Sequence, residues 1–380
     1  MMHGSFELAE KIMTDYARRT GVLGDRKPRR YLWTDSFAVC NYLGLYRISG
    51  NEHYMHLALK LVDQVHFVLG RHREDDPRRG WISGLDEEEG KKHPTVGGLR
   101  IGKRLPEREP DEPFDESLEW ERDGQYYHYL TRWMHALNRV SRETRDPIYN
   151  LWAAELAKTA HAAFVYERDG QRRIYWKMSI DLTRPLVDSM GLHDPLDGFV
   201  VYNEIQASAP RNPEWPSLTR EIDELLEICM KMNLATDDPL GIGCLLWNSY
   251  FLAEMLVNGR FRRADLLLNV LNDSLLSLEL YLATDPLRLS ASNRLAFREL
   301  GLSIGFKAVK KLQQFVKESN LSSHEEICSL IRSLTRYSWI GDEIERFWLK
   351  PESRESSLWK EHQDINMVML ATSLIPDGFL

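Results

Sequence analysis

Two kinds of helical segment alternate along this chain. Phe6–Thr20 has apolar residues at helical spacing and one charged face, the pattern of an outer helix. Tyr31–Arg47 (YLWTDSFAVCNYLGLYR) is different: after a start that mixes aromatics with Thr34-Asp35-Ser36, it is apolar almost all the way round. A helix of that kind has protein packed on every side, and only its polar beginning meets water. It stops at Ser49-Gly50, and the amphipathic Glu52–Gly70 follows at once, so the two are antiparallel neighbours.

The same grammar recurs. Gly124–Val140 starts polar and aromatic and turns apolar, and after Arg145-Asp146-Pro147 comes the amphipathic Ile148–Tyr166. A third inner helix is expected to begin near Leu192–Asp197, with amphipathic Leu218–Leu234 behind it. Asp237-Asp238-Pro239 opens a fourth, closed by Asn258-Gly259 before the outer Arg260–Leu282. Ser292–Lys311 is the fifth, with an outer helix near Ser322–Tyr337 and a short segment around Glu343–Trp348. The sixth runs from about Trp359 to Ser373. Two stretches break the rhythm. Residues 71–123 carry five prolines and many charges, and a loop this long is usually functional, here expected as a lid. Glu167–Gly191 reads as irregular.

Inner-to-outer turns are short, whereas outer-to-inner connections are mostly long, so the long loops land where inner helices start. The pattern predicts an all-α ring of six inner helices wrapped by six outer ones, one domain over residues 1–380, with its loops and polar helix starts at one mouth. Composition agrees: 43% hydrophobic and 28% charged residues supply a large core. A net charge of -8 argues against nucleic acid as a partner. No apolar run long enough for a membrane span and no secretory h-region stand out, so a cytoplasmic protein without a membrane partner is expected. Cys40, Cys229, Cys244 and Cys328 are far apart and read as buried free thiols.

With Tyr31-Leu-Trp33-Thr-Asp35 and Trp176-Lys-Met-Ser-Ile-Asp181 as aromatic-plus-carboxylate pieces, the chain resembles the six-hairpin, (α/α)6-toroid enzymes. These include unsaturated uronyl hydrolases, other glycoside hydrolases and the N-acylglucosamine 2-epimerase group. The resemblance is architectural, covers nearly the whole chain, and implies a small-molecule saccharide as the partner, with no cofactor. Protein prenyltransferases and lanthionine cyclases share only the helix pairing, since the zinc ligands they need are not evident.

Helix N-termini gathered at a mouth tolerate carboxylates and attract anions. Asp35 stands at a helix start, where it is either an N-cap or a general acid or base walled by Tyr31 and Trp33. Asp181 follows Trp176 in a loop and is the candidate second carboxyl group, since glycoside hydrolysis commonly uses two. His128, His193 and His362 fall in the first turns of inner helices and are structural donors or the proton carriers of a sugar epimerase. Trp33, Tyr126 and Trp176 suit the faces of sugar rings, and Arg184, Arg294 and Arg298 suit an acidic sugar. Asp364 joins His362 in a polar cluster, and Glu299 is either a binding residue or an ion-pair partner. Gly301 and Gly305 read as close helix packing. No metal is expected: His193-Asp194 and His362-Asp364 lack a helical i,i+4 histidine pair. Hydrolysis by paired carboxyl groups is the first expectation, histidine-driven epimerisation the second, and a non-catalytic scaffold the third. The oligomeric state is left open.

Overall fold

The computed structural model describes residues 2–380. It divides into two compact units, one of residues 17–228 and one of residues 1–16 with 229–380. In the first, Leu32–Ser49 packs against Glu52–Leu69, Tyr127–Thr144 against Ile148–Phe164, and Asp194–Ser208 precedes Thr219–Cys229. In the second, Pro239–Val257 pairs with Ala264–Leu282 and Ala296–Lys317 with Glu325–Arg336 and Trp339–Leu349. Gln363–Leu374 lies against Ala296–Lys317. The six helices expected to be inner are the ones buried around most of their circumference. Leu32–Ser49 is buried from Leu32 through Leu45 without interruption, whereas Glu52–Leu69 is buried along one face.

Pro239–Val257 is long and apolar enough to cross a membrane, but most of it is buried inside its unit. What surrounds it is protein. Its closest neighbour is Ala296–Lys317, and glycine makes the approach possible. A Cβ on Gly243 would lie 2.2 Å from the Gly301 carbonyl oxygen, and one on Gly305 would lie 2.8 Å from Gly243 Cα. Backbone cannot give way as a flexible side chain does.

Three elements depart from the sequence reading. Val165–Arg168 and Gln171–Ile174 form an antiparallel hairpin, with Asp169 and Gly170 both at positive φ in its two-residue turn. Asp-Gly is the residue pair such a turn favours. Gln125–Tyr126 is a short strand rather than the first turn of a helix, and it pairs with Lys177–Met178, which pairs with Pro185–Val187. The final inner helix is broken: Ser357–Glu361 ends at His362, and Gln363–Leu374 starts anew.

Residues 71–123 are ordered around charge. Asp123, fully buried, accepts hydrogen bonds from Arg100 at 2.6 Å, Arg73 at 3.2 Å and the Gly102 amide at 2.9 Å. Trp81, Leu99 and Ile101 add a small apolar core, while Phe114 stays exposed. A buried carboxylate is tolerated because several donors replace its water.

The glycine contact yields a test in which two effects oppose. Alanine is the better helix former by about 1 kcal/mol. At Gly4, with nothing within 4 Å of the added Cβ, Gly4→Ala is expected to raise stability. At Gly243 the clash with backbone dominates, and Gly243→Ala is expected to cost about 1–3 kcal/mol in urea denaturation. A stabilised Gly243→Ala protein would mean that the two helices are not in backbone contact.

Candidate functional site

In the unit of residues 17–228, Leu32–Ser49 packs on Tyr127–Thr144, which packs on Asp194–Ser208. Their first turns bring together Trp33, His128, Tyr129, Arg132, Asp194 and Asp197. His128 is the centre. Its ring lies 4.7 Å from Tyr129 and 5.9 Å from Trp33, both edge-on, and stacks on Tyr126 at 5.3 Å. Trp176, carried in by the strand that pairs with Gln125–Tyr126, lies parallel to the imidazole at 6.3 Å. Trp33 and Tyr126 are buried, while His128, Tyr129 and Trp176 are partly open.

The polar groups here are incompletely paired. His128 Nδ1 stands 3.9 Å from Asp194 Oδ1, too far for a hydrogen bond. His128 Nδ1, Asp194 Oδ2 and Trp33 Nε1 are buried and have no hydrogen-bond partner among the described residues. Buried polar atoms are nearly always satisfied, so three orphans around one imidazole mark a place where a ligand or water completes the pairing. Asp194 opens its helix without capping it, and the preceding His193 makes no side-chain cap either. Asp197, one turn on, is ion-paired with Arg132, both buried.

Burial decides the protonation of this group. Desolvation pushes the His128 imidazole down to about 3, with Asp197 opposing and Arg132 assisting. Desolvation, helped by Asp197 and opposed by Arg132, pushes the Asp194 carboxyl up to about 8. Near neutrality the site therefore holds a neutral base and a neutral acid side by side. That pairing suits general acid–base chemistry.

The paired carboxyl groups expected for hydrolysis are otherwise engaged. Asp35 is wholly buried, accepts a hydrogen bond from the Tyr31 amide at 2.9 Å, and lies 3.3 Å from the equally buried Arg30 guanidinium. Asp181 pairs with Arg78 at 2.8 Å and accepts from the Ser179 and Thr183 hydroxyls. Burial alone would raise its carboxyl, but the Thr183 and Ser179 hydroxyls and Arg78 hold it below the usual carboxylate range. Arg184 donates to the Arg108 carbonyl.

In the other unit, Arg294 and Glu299 form a buried bidentate pair at 2.7–3.0 Å, and Trp348 Nε1 donates to the same carboxylate at 2.7 Å. Their charges are spent on each other. Arg298 reaches Asp238, the N-cap of Pro239–Val257, at 2.7 Å. His362 sits at the break before Gln363–Leu374 with its ring 5.6 Å from Phe297, and Asp364 is in that helix's first turn. Within the 17–228 unit the structure thus joins Trp33, Tyr126, His128 and Trp176, while Asp35 pairs with Arg30 and Asp181 shares the Ser179 hydroxyl with the Arg184 amide.

Arg132, Asp194 and Asp197 were not singled out as acting groups by the sequence, though a charged residue at a core position of Gly124–Val140 is a visible signal. A charge in such a place needs a partner.

Two consequences can be measured. Asp35→Asn leaves Arg30 charged and unpaired in the interior, so stability should drop by about 3–5 kcal/mol. Unfolding within about 1 kcal/mol of the parent would release Asp35 for another role. The second concerns pH. Between 3.8, the ordinary aspartate value, and about 8, folded Asp194 keeps a proton that the unfolded chain has lost, so its contribution falls as pH rises. His128 acts oppositely below 6.5, where the unfolded imidazole binds a proton that the folded one refuses. From 6.5 to 8 only the Asp194 slope of this pair remains. Thermal stability should decline there by about 1–2 kcal/mol, and Asp194→Asn should flatten it. A flat parent profile would show that Asp194 is ionised.

No protein-family model matches the sequence, and no curated protein matches it either. Solved structures do. A cellobiose 2-epimerase from Spirochaeta thermophila superposes with a TM-score of 0.51 at 12% identity, covering 97% of this chain and 98% of its own. A sugar epimerase from a ruminal bacterium gives 0.51 at 11% identity with the same coverage. An unsaturated glucuronyl hydrolase specific for heparin reaches only 0.34, at 14% identity over 71% of this chain and 83% of that one, too loose to bear on the fold. The alternation of all-round-buried and one-face-buried helices, together with end-to-end likeness to the two epimerases, gives this chain an (α/α)6-toroid fold.

Proposed function

We propose that the protein is a carbohydrate-active enzyme that moves a proton beside a sugar carbonyl, as an epimerase or aldose–ketose isomerase does, with His128 at the centre. The observation that carries this reading is the neutral, partly open imidazole with an unbonded Nδ1, set 3.9 Å from a carboxyl group that burial holds in its acid form. The end-to-end structural likeness is to proteins named as sugar epimerases, and this supports the same class.

The chemistry follows from those two groups. An open-chain sugar placed against Trp33, Tyr126 and Trp176 presents the C–H beside its carbonyl to His128. The imidazole takes that proton as the Asp194 carboxyl gives one to the carbonyl oxygen, producing an enediol. The imidazolium then lies beside the Asp194 and Asp197 carboxylates, which favour its charge. For the isomer, His128 returns its proton to the other carbon of the enediol while the Asp194 carboxylate takes the hydroxyl proton on the carbon that first lost one. For the epimer, the enediol turns over, His128 returns the proton to the opposite face of the same carbon, and the Asp194 carboxylate takes back the proton it gave to oxygen. Aromatic walls keep water from the intermediate and strengthen the electrostatics.

Hydrolysis through Asp35 and Asp181 has less support, because each carboxylate is already paired with an arginine. A different pair, Asp194 as acid and Asp197 as base, would still be open to a hydrolase. The distinguishing experiment is turnover of reducing mono- and disaccharides in deuterium oxide. Deuterium is expected at the carbon beside the carbonyl, with His128→Asn lowering the rate about 10²–10⁴-fold. Release of new reducing ends without deuterium uptake would replace the isomerase with a hydrolase, and inertness toward every saccharide would leave a binding scaffold.

A further inference from the structure

Trp120 is 44% exposed, the last aromatic of a short helix, Glu116–Glu121, within the 71–123 segment. Its ring meets Trp176 edge-to-face at 4.9 Å. Trp176 in turn contacts Tyr126 at 5.2 Å and lies parallel to His128 at 6.3 Å. Aromatic rings therefore continue without a gap from the surface to the proposed proton carrier.

This run is held by an interaction that its position would not otherwise require. Lys177, next to Trp176, is wholly buried and donates to Glu119 Oε1 and the Glu119 carbonyl, both at 2.8 Å, and to the Arg122 carbonyl at 2.9 Å. Glu119, next to Trp120, also accepts from Arg108 at 3.0 Å. One buried lysine thereby fixes the backbone beside both tryptophans. Burying an ammonium is costly, and here it is fully compensated by fixed acceptors. The result is a rigid tryptophan left partly in water.

We propose that Trp120 and Trp176 form a second saccharide subsite, continuous with the His128 site, so that the substrate is an oligosaccharide of two or more rings rather than a free monosaccharide. The inference rests on the carbohydrate reading given above. Each centre-to-centre step along the rings is comparable with the width of a pyranose, whose C–H faces stack on indole. Lys177 and Glu119 are positioning residues: they hold the two indoles and touch no sugar. A protein partner is disfavoured because Glu116, Glu121 and Arg122 interrupt the apolar surface, and a stable protein interface needs about 1,000 Å² or more.

The test is a binding ladder by calorimetry with glucose, cellobiose and cellotriose, and with galacturonic acid and its di- and trimers. The parent protein should bind the longer member of one series at least tenfold more tightly than its monosaccharide. Trp120→Ala should remove that length advantage and leave the melting temperature within a few degrees, and Trp120→Phe should restore most of it. A length advantage that survives Trp120→Ala overturns the subsite, as does a parent protein that binds nothing in either series. His128→Asn separates the two readings. If it abolishes deuterium uptake while Trp120→Ala leaves the ladder unchanged, only the subsite falls. If Trp120→Ala collapses the ladder but no sugar ever takes up deuterium, only the proton-transfer chemistry falls.

Discussion

Much of this structure follows from the cost of putting charge or an unbonded polar atom inside helices that have protein on every side. Helices such as Leu32–Ser49 and Pro239–Val257 offer water no lateral face. Polar residues on them must pair within the interior or lie near an end. Both solutions occur. Arg30 with Asp35, Arg132 with Asp197, and Arg294 with Glu299 are interior pairs, each within a few residues of a helix start. His128 and Asp194 are the contrasting case: they sit in the same kind of place, and burial has neutralised them instead. Asp197 is ion-paired with Arg132, whereas His128 and Asp194 stand 3.9 Å apart, too far for a hydrogen bond.

The helix pairing was legible because it is written in periodicity. Apolar residues all round, or on one face, survive in the sequence whatever their neighbours do, so the inner and outer helices were located with modest errors at their ends. The hairpin at residues 165–174 escaped because its strands are short and largely exposed, although its Asp-Gly turn was visible. The break at His362 escaped because the residues on both sides of it favour helix. Candidate residues were legible in part. His128, Trp33 and Tyr126 lie at or near helix starts, Trp176 belongs to an aromatic-plus-carboxylate piece in a loop, and the structure groups the four. Asp35 stands out at a helix start and Asp181 in the loop after Trp176, but a carboxylate's role depends on which arginine reaches it. Arg30 lies five residues from Asp35, yet Arg78 is about a hundred from Asp181, and nothing in spacing announces such a partner.

The 71–123 segment shows how order arises without periodicity. Asp123 ties Arg73 and Arg100 together, Arg78 collects Asp76, Glu107 and Asp181, and Lys177 reaches into the segment to hold Glu119. Charges that look in sequence like a solvated loop are here the fastening. Such a network gives orientation more than net stability, since each buried charge loses hydration about as large as the attraction it gains.

The division of the chain also bears on its birth at the ribosome. Residues 17–228 form one continuous stretch, so every partner in that unit is made before residue 229. The other unit joins residues 1–16 to residues 229–380, so its N-terminal segment waits for helices made after residue 228. Vectorial synthesis therefore favours one half first. Until residues 229–380 are made, residues 4–16 carry an apolar stripe without the partners of their own unit, a segment that a chaperone can shield.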